Sequence, residues 1–218
     1  METAAHPRQR RKEERPAELM AAALELFVEK GFVGTRLEDV ATRAGVSKGT
    51  LYLYFDSKEA LFKAVVQEGI VPVLEAGAGL IDSFEGSSAD LLHTLLQVWW
   101  QKIGNTHLGG IPKLIISEAG NFPELAAYYN EAVIVRGRDL MRRTLQRGID
   151  SGEFRAVNIE IVIDVLFAPV LMMMIWRYSL GLCCGNSHDP EIYLNTHLDL
   201  ALGGLAAPVA PRQRRKTK

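Results

Sequence analysis

The stretch GVSKGTLYLYF, from Gly45 to Phe55, decides how the rest of this chain is interpreted. Its second half alternates aliphatic and aromatic residues, which taken alone predicts a β-strand. Its neighbours predict a helix instead, because Ser47 suits a helix N-cap, and Asp56 and Ser57 suit a turn that leads into the next N-cap. A strand between two such caps would have no partner within reach. Since the local signals agree with one another, we expect a short helix here.

The segment before this stretch carries two further helix signals. From Pro16, a suitable first helical residue, apolar residues recur at helical spacing until Gly31. Thr35 followed by Glu38 is a capping box that predicts the start of a second helix, and Gly45 is expected to end that helix as a C′ residue. Two short helices joined by a turn that contains glycine are the helix-turn-helix signature. The sequence therefore predicts a DNA-binding motif over residues 31–57.

Helical spacing divides the third helix into an inner and an outer face. Leu51 and Phe55 are i,i+4 partners that we expect to pack inward, against Val40, Ala41 and Val46. The opposite face is small, polar, aromatic and cationic, which suits readout of base edges in the major groove. This outer face carries Lys48, Gly49, Thr50, Tyr52 and Leu53.

The residues of the outer face have distinct predicted roles at DNA. Gly49 removes bulk so that the helix sits deep in the groove, and Lys48 donates to guanine or to phosphate. Thr50 offers a hydroxyl and a methyl group, and Leu53 suits a thymine methyl. Tyr54 stays open between a phosphate contact and core packing. The predicted DNA-binding set is Thr35, Arg36, Ser47, Lys48, Gly49, Thr50, Tyr52, Leu53, Tyr54 and Lys58.

The stretch AALELFVEKGFVGTRLEDVATRAGVSKGTLYLYFDSKEALFKAV resembles the DNA-binding domain of the TetR/AcrR family of bacterial transcriptional regulators. The resemblance rests on Gly31 after Ala-x-x-Leu-Phe, on the turn at residues 44–47, and on the run Gly49–Tyr52 followed by Phe55. It implies an all-α homodimer whose variable C-terminal helical domain binds a small effector. It also implies DNA contacts at Thr35, Lys48, Gly49, Thr50, Tyr52, Tyr54 and Lys58. Leu53 departs from the family pattern, which leaves the base preference at that position open.

Composition and charge divide the chain into four parts. Its 218 residues allow a sizeable core, and the net charge of −1 is unevenly spread along them. We expect a basic N-terminal arm at 1–14, a helix-turn-helix domain at 15–68, a helical effector-binding and dimerisation domain at 69–207, and a basic tail at 208–218. The hexapeptide PRQRRK occurs in both basic segments. The arm is expected to reach an adjacent minor groove, and the tail either contacts DNA or is merely solvated.

Other bulk features narrow the class of protein. Two adjacent cysteines, Cys183 and Cys184, exclude a disulfide framework and favour a reducing, cytoplasmic compartment. The longest uncharged apolar run, VLFAPVLMMMIW, is too short to span a bilayer, so no membrane partner is expected. Adjacent thiols fit tetrahedral zinc poorly, and we expect neither a metal nor another cofactor. No Gly-rich phosphate loop or nucleophile elbow is present in the sequence, which argues against an enzyme.

Helical periodicity continues through the rest of the chain and predicts an all-α fold. The helix that follows the helix-turn-helix is expected to kink at Pro72. Asn158 and Asp189 suit N-caps, and Gly152 and Gly185 suit helix ends. Further helices are predicted at Ala89–Thr106, Pro112–Ala119, Pro123–Ser151, Ile159–Leu182 and Pro190–Leu205.

An effector site requires an apolar pocket with a few polar groups. Aromatic, methionine and polar side chains in the C-terminal half supply candidates, although each of them alone is equally well an ordinary core or surface residue. The effector is expected to be small and largely hydrophobic, since methionine adapts to varied apolar ligands. The predicted ligand-binding residues are Trp99, Trp100, Ile103, His107, Glu118, Phe122, Tyr128, Tyr129, Arg136, Phe167, Leu171 and Met174.

The last two long helices are candidates for dimerisation. The segment Ile159–Leu182 is apolar nearly all round, which is more than one face of a monomer needs. Two helices from each subunit would form a four-helix bundle with twofold symmetry, so the DNA target is expected to be palindromic. The predicted interface residues are Ile163, Phe167, Val170, Leu194, Leu198 and Leu202.

Two functions stay open at this point. The first is a repressor that binds double-stranded DNA as a homodimer and is released by an unknown small molecule. The second is an ungated, architectural DNA-binding protein whose C-terminal helices serve only to dimerise. A cavity in the C-terminal domain would favour the first function, and a closed, filled core would favour the second.

Overall fold

The computed structural model describes residues 7–185 and 188–208, and of residues 7–13 the backbone only. This part of the chain forms the helices α1 Pro7–Gly34, α2 Leu37–Arg43, α3 Lys48–Tyr52, α4 Lys58–Gly69, α5 Val71–Ser83, α6 Ser88–Trp99, α7 Ile111–Glu118, α8 Pro123–Tyr129, α9 Arg136–Asp150, α10 Ile159–Arg177, α11 Gly181–Cys184 and α12 Pro190–Leu205. A π-helical segment, Trp100–Gly104, continues α6, and a second, Asn130–Val135, joins α8 to α9. A 3₁₀ turn, His107–Gly110, precedes α7.

The predicted all-α class is confirmed. Across the described ranges, pairing of the β type is limited to an isolated bridge between Phe154 and Ala206. The first copy of PRQRRK forms the first turns of α1. The second copy, with the basic tail beyond residue 208, lies outside the described residues.

One boundary prediction that depends on proline is wrong, since Pro16 lies inside α1, whose helical residues begin at Pro7. The predicted interruption near Pro72 is present. Helix α4 ends at Gly69, Ile70 keeps a helical conformation, and Pro72 stands in the first turn of α5, where its missing N–H costs nothing. Gly31 does interrupt α1 as predicted, with a positive φ of 77° that only glycine adopts readily.

The C-terminal caps agree with their sequence signals, but the long helices are subdivided. The side chain of Asn158 accepts a hydrogen bond from the N–H of Ile161 at 3.3 Å, and Asp189 caps α12 in the same way. The predicted helices 89–106 and 123–151 are each interrupted by a π-helical segment. The helix predicted to reach Leu182 ends at Arg177.

Helices α1 to α4 enclose a small aromatic core. The rings of Phe27, Phe32 and Phe62 lie 5.5–6.1 Å apart, and Leu51 of α3 is fully buried beside them. This core fixes α3 against α1 and α2, so that its opposite face is turned outward.

A second core lies in the C-terminal half, among α6, α9, α10 and α12. Leu91, Leu145, Ile163 and Leu198 are its fully buried centre. Helix α7 lies between the two halves and contacts both α1 and α10.

Two helical spans are long and apolar enough to cross a membrane, judged by length and composition alone. They are Lys58–Ser83, which comprises α4 and α5, and Ile159–Arg177, which is α10. Core helices of globular proteins meet the same criterion. Only 22% of the α10 window is buried within the chain, so this helix leaves apolar side chains at the surface.

Candidate functional site

The opening stretch forms a helix, as its caps predicted. The Oγ of Ser47 accepts a hydrogen bond from the N–H of Thr50 at 3.1 Å, and Ser57 caps α4 through the N–H of Ala60. Leu51 and Phe55 are buried in the N-terminal core, which is the inner seam predicted for them. The alternation of aliphatic and aromatic residues therefore reflects one buried and one exposed face of a helix.

The outer face of α3 is open to solvent. Leu53 is 81% exposed and Tyr52 is 42% exposed, so the predicted orientation of both side chains is confirmed. Lys48 and Gly49 are exposed beside them, and Thr50 is half-buried. Leu53 buries little apolar surface within the chain, so it is available for contact with another molecule.

Gly49 is not required by the packing of α3. A Cβ built on this residue would meet only the Oγ of Ser47, at an ordinary van der Waals distance of 3.8 Å. Its φ is not positive, so its backbone conformation is one that any residue adopts. The fold of the chain would therefore accept a Cβ at this position, so packing within the protein does not explain the glycine.

Lys48 is held by an acidic partner on α2. Its ammonium lies 2.5 Å from a carboxylate oxygen of Glu38 and 5.7 Å from the ring centre of Tyr52. The hydrogen bond raises the pKa of Lys48, and it lowers the pKa of Glu38. The ammonium of Lys48 has three donors, so it can contact a base or a phosphate, but it does so in competition with this carboxylate.

The prediction that Thr35 caps α2 is wrong. Arg36 is the N-cap residue, with no side-chain cap bond, and Thr35 is buried. The hydroxyl of Thr35 donates to the carbonyls of Gly31 at 2.7 Å and Leu26 at 3.1 Å, which fixes the end of α1. This hydroxyl is therefore committed inside the protein, whereas the side chain of Arg36 is exposed at the start of α2.

Lys58 is likewise committed inside the protein. Its ammonium donates to the carbonyls of Phe32, Val33 and Thr35, and it lies 4.5 Å from the ring centre of Phe32. Partial burial lowers its pKa. This lysine therefore holds the turn between α1 and α2 in place and is not a free phosphate donor. Tyr54 is half-buried against the N-terminal core, which is one of the two alternatives left open for it.

The C-terminal half contains a cavity of about 510 Å³, enclosed by α5, α6, α7, α9 and α10 with the π-helical segment after α8. Its walls are almost entirely aliphatic and aromatic, and within the described part of the chain Arg138 is the one charged residue that lines it. Of the residues predicted from sequence to bind a ligand, four line this cavity: Trp99, Tyr129, Phe167 and Leu171.

The other eight predicted ligand residues lie elsewhere. Trp100 and Met174 are buried in a separate cluster with Val170 and Leu194, and Ile103 belongs to the main core. Arg136 faces Glu75 at 3.7 Å, outside the cavity. His107 stands at the start of the 3₁₀ turn before α7.

Three of these eight residues lie at the junction between the two halves. A carboxylate oxygen of Glu118 accepts from the N–H of Val33 at 3.5 Å, and the ring of Phe122 packs edge-on against Phe32 at 4.8 Å. The hydroxyl of Tyr128 donates to a carbonyl of α4 at 3.2 Å. These contacts join α7 and α8 to the helix-turn-helix rather than to the cavity.

Sequence reasoning missed the aliphatic part of the wall. These residues carry no signal that separates a cavity wall from a filled core, since both are apolar faces of helices. The close approach at Gly77, where a Cβ would lie 3.1 Å from a methyl of Leu140, is likewise visible only in the folded chain. The missed lining residues are Val73, Leu74, Ala76, Gly77, Leu80, Leu95, Leu96, Val98, Pro112, Ile115, Ile116, Val133, Ile134, Gly137, Arg138, Leu140 and Met141.

The cavity wall and the DNA-binding domain share α7. Pro112, Ile115 and Ile116 of this helix line the cavity, and Glu118 at its end touches Val33. A displacement of α7 by a bound molecule would therefore act directly on the end of α1, which precedes α2 and whose carbonyls accept from Lys58 of α4.

The predicted dimer-interface residues are buried within the single chain. Ile163, Val170, Leu194 and Leu198 pack α10 against α12 and the rest of the domain, and Phe167 lines the cavity. Leu202 is half-buried against the same core. The prediction picked the inner face because both faces of α10 are apolar. The outward apolar stripe consists of Ile161, Val165, Met172 and Trp176 on α10 and of Ile192 and Leu200 on α12.

Comparison with known proteins identifies both halves of the chain. Residues 19–65 match the family model described as bacterial regulatory proteins, tetR family, and residues 85–179 match the tetracyclin repressor-like C-terminal domain. The uncharacterized HTH-type transcriptional regulator YfiR of Bacillus subtilis is 30% identical over 161 residues, which cover 67% of this chain and 71% of that protein. The HTH-type transcriptional repressor KstR2 of Rhodococcus jostii is 26% identical over 201 residues, covering 89% and 92%.

Solved structures share the same architecture. The transcriptional regulator FadR of Bacillus subtilis, crystallised with stearoyl-CoA, superposes with a TM-score of 0.69 at 20% identity, covering 87% of this chain and 98% of that one. FadR of Bacillus halodurans superposes with a TM-score of 0.72 at 20% identity, covering 94% and 100%. At this identity the likeness concerns the fold.

Proposed function

The chain belongs to the TetR family of DNA-binding transcriptional regulators, and from this premise we propose that it represses transcription from a palindromic operator until a small, largely hydrophobic effector releases it. The observation that carries the proposal is the cavity of about 510 Å³, whose wall helix α7 also touches the helix-turn-helix. Cytoplasmic placement, where the operator DNA is, forms part of the same proposal.

The proposed reading surface is the outer face of α3 together with the start of α2. Lys48 and Thr50 supply donors for base edges or phosphates, and Leu53 supplies an apolar contact for a thymine methyl. Gly49 allows the close approach, and the exposed side chain of Arg36 supplies a phosphate contact. Ser47 and Tyr52 complete the surface as donors at either end of α3. Thr35, Tyr54 and Lys58 are proposed to position this surface from within the protein, since their polar atoms or rings pack inside it.

Gating is proposed to act through α7 and the turn that follows it. A ligand in the cavity presses on Pro112, Ile115 and Ile116, and Glu118 and Phe122 transmit the shift to the end of α1. A ligand releases DNA only to the extent that it binds the DNA-free arrangement more tightly than the DNA-bound one. An effector that fills the cavity and displaces α7 meets this condition.

The homodimer that the family implies is proposed to form through the outward apolar stripe of α10 and α12. A second copy covers Ile161, Val165 and Leu200, and four helices then make a twofold bundle. Two reading heads meet successive major grooves if they are spaced by about 34–36 Å or a multiple of that distance. The operator is accordingly expected to contain two inverted half-sites.

The alternative, an ungated architectural protein, would have a closed C-terminal core. The cavity favours gating over this alternative, because its volume and its largely apolar lining are those of a small-molecule pocket between helices. KstR2 is named a repressor, and FadR of Bacillus subtilis was crystallised with stearoyl-CoA. Both names support the proposal that this chain represses and that its cavity accepts an apolar group.

The proposal is tested by selecting DNA from a random pool with the full-length protein and with its Lys48→Ala and Leu53→Ala variants. We expect a palindromic site whose base preference relaxes at defined positions in each variant. Leu182→Ala is the matched control, since Leu182 is as exposed as Leu53 but belongs to α11, and it should leave the site unchanged. Salt-sensitive binding without an enriched site would reject specific repression and support the architectural alternative.

A further inference from the structure

The hydroxyl of Tyr129 has no hydrogen-bond partner within the described residues, although the side chain is only 7% exposed. The three other tyrosines in the C-terminal half each donate to a backbone carbonyl: Tyr128 at 3.2 Å, Tyr178 to Thr106, and Tyr193 at 3.4 Å. A donor with so little access to water is costly to leave unpaired, so native proteins nearly always satisfy it. No fully buried side-chain oxygen or nitrogen of the described residues lacks a partner, so the hydroxyl oxygen of Tyr129 keeps some accessible surface, and the effector cavity is the space that this residue lines.

Among the described residues, Arg138 is the one charged side chain that lines the cavity, and it donates to the carboxylates of both Glu160 and Asp164 on α10. An anionic group placed among the apolar walls would have to displace one of these carboxylates or remain unpaired. Burial raises the pKa of Tyr129, so its hydroxyl stays a neutral donor at physiological pH.

A π-helical segment forms part of the cavity wall. Val133 and Ile134 of the segment Asn130–Val135 line the cavity, as does Tyr129 directly before it. The other π-helical segment begins directly after Trp99, which is also a lining residue. Segments of π-helix are rare, and they occur often at functional sites.

We propose that the cavity binds an uncharged, mostly aliphatic or alicyclic molecule that carries one hydrogen-bond acceptor, a ketone or ester carbonyl, which accepts from the hydroxyl of Tyr129. The proposal rests on the proposed function in taking this cavity as the effector site. The cavity volume lies within the range of ligand pockets, roughly 300–1,000 Å³. This volume suits an aliphatic or alicyclic molecule without a large polar head group. The hydroxyl of Tyr129 would then make the protein bind a ketone more tightly than a hydrocarbon of the same length.

The test is displacement of the neutral dye Nile red by four probes of matched chain length: 2-decanone, 1-decene, decanoate and decanoyl-CoA. In the wild-type protein we expect 2-decanone to bind most tightly. Tyr129→Phe should weaken 2-decanone by roughly 2- to 12-fold, the loss expected for one net hydrogen bond, and leave 1-decene unchanged. Tyr128→Phe is the matched control, because the neighbouring hydroxyl points away to α4, and it should change neither affinity.

Three results would overturn the proposal. They are tighter binding of decanoate or decanoyl-CoA than of 2-decanone, equal effects of Tyr129→Phe on the ketone and the hydrocarbon, and a failure of the neutral probes to bind. Since Tyr129→Phe removes an unpartnered polar group, the variant should fold with an unchanged or raised melting temperature, which keeps the comparison interpretable.

Release of operator DNA is measured separately from probe binding, so that the two proposals fail in different ways. Binding of 2-decanone that depends on Tyr129 but leaves DNA bound would reject gating and keep the ligand class. Release of DNA by a charged ligand, with no dependence on Tyr129, would reject the ligand class and keep gating.

Discussion

The substitution Gly49→Ala should raise the stability of the free protein and weaken its binding to DNA. Glycine in a helix is unfavourable relative to alanine by about 0.5–1 kcal/mol because of its backbone freedom. Gly49 lies near the start of α3, where that cost is at the lower end of the range, and the added Cβ meets only the Oγ of Ser47 at 3.8 Å. We therefore expect a gain of about 0.5 kcal/mol, or a rise of about 1–2 °C in melting temperature for a chain of this size.

At DNA the same methyl group has the opposite effect. It projects from the outer face of α3, between Lys48 and Thr50, where we propose that the helix approaches the base edges. A methyl group here leaves the contacts within the protein unchanged. It holds the helix away from the groove and so lengthens every contact with a base. We expect an affinity loss of about tenfold for the selected operator, equivalent to about 1.4 kcal/mol.

The assay pairs a thermal melt at fixed protein concentration with fluorescence anisotropy on operator and on scrambled DNA. Gly79→Ala is the control, since Gly79 is an exposed glycine within α5 whose added Cβ would meet no neighbour within 4 Å. It should raise the melting temperature and leave DNA affinity unchanged. A Gly49→Ala protein that is more stable and binds its operator as well as the wild type would refute the close approach of α3.

Three further predictions follow from contacts in the two halves. Glu38→Gln removes the carboxylate that holds Lys48, so DNA affinity in a filter-binding assay should rise by roughly two- to fivefold at low salt. The gain should vanish at high salt. An unchanged affinity at low salt would mean that Lys48 does not reach DNA. Phe122→Leu removes the ring that packs on Phe32. Operator affinity without effector should stay within about twofold of the wild-type value, while effector-induced release weakens several-fold. Unchanged release would count against transmission through this contact. Leu200→Asp places a charge on the outward stripe and should convert dimers to monomers in light scattering, whereas Leu182→Asp should not; a dimeric Leu200→Asp protein would locate the interface elsewhere.

Features governed by neighbours in the sequence were predictable, and features governed by distant contacts were not. The caps at Ser47, Ser57 and Asn158 depend on residues three positions away, so the sequence contains the whole interaction. Thr35 carried an equally good local signal, but its hydroxyl reaches the carbonyls of Leu26 and Gly31, and burial there outweighs the capping interaction.

The effector site and the dimer face depend on distant contacts, so the sequence did not predict them correctly. Helix α10 is apolar nearly all round, so its sequence does not reveal that Ile163 points inward while Val165 points outward. Only the positions of α5, α6 and α9 decide which apolar side chains border a cavity. Tyr129 was predicted as an aromatic candidate, whereas the lack of a partner for its hydroxyl emerges only from the assembled helices.

The π-helical segments determine how the helices that line the cavity respond to the insertion or deletion of one residue. A π-turn accommodates one residue more than an α-turn, so each segment behaves like a single-residue insertion absorbed by a helix. Deleting one residue from Asn130–Val135 would convert this segment to α-helix and leave the helical register of α8 and α9 unchanged. Arg138, Leu140 and Met141 of α9 would then keep their places at the cavity, and the wall would change where Val133 and Ile134 line it. A single-residue gap between this chain and a relative at this segment would accordingly mark a local change of the effector site, with the rest of the wall kept.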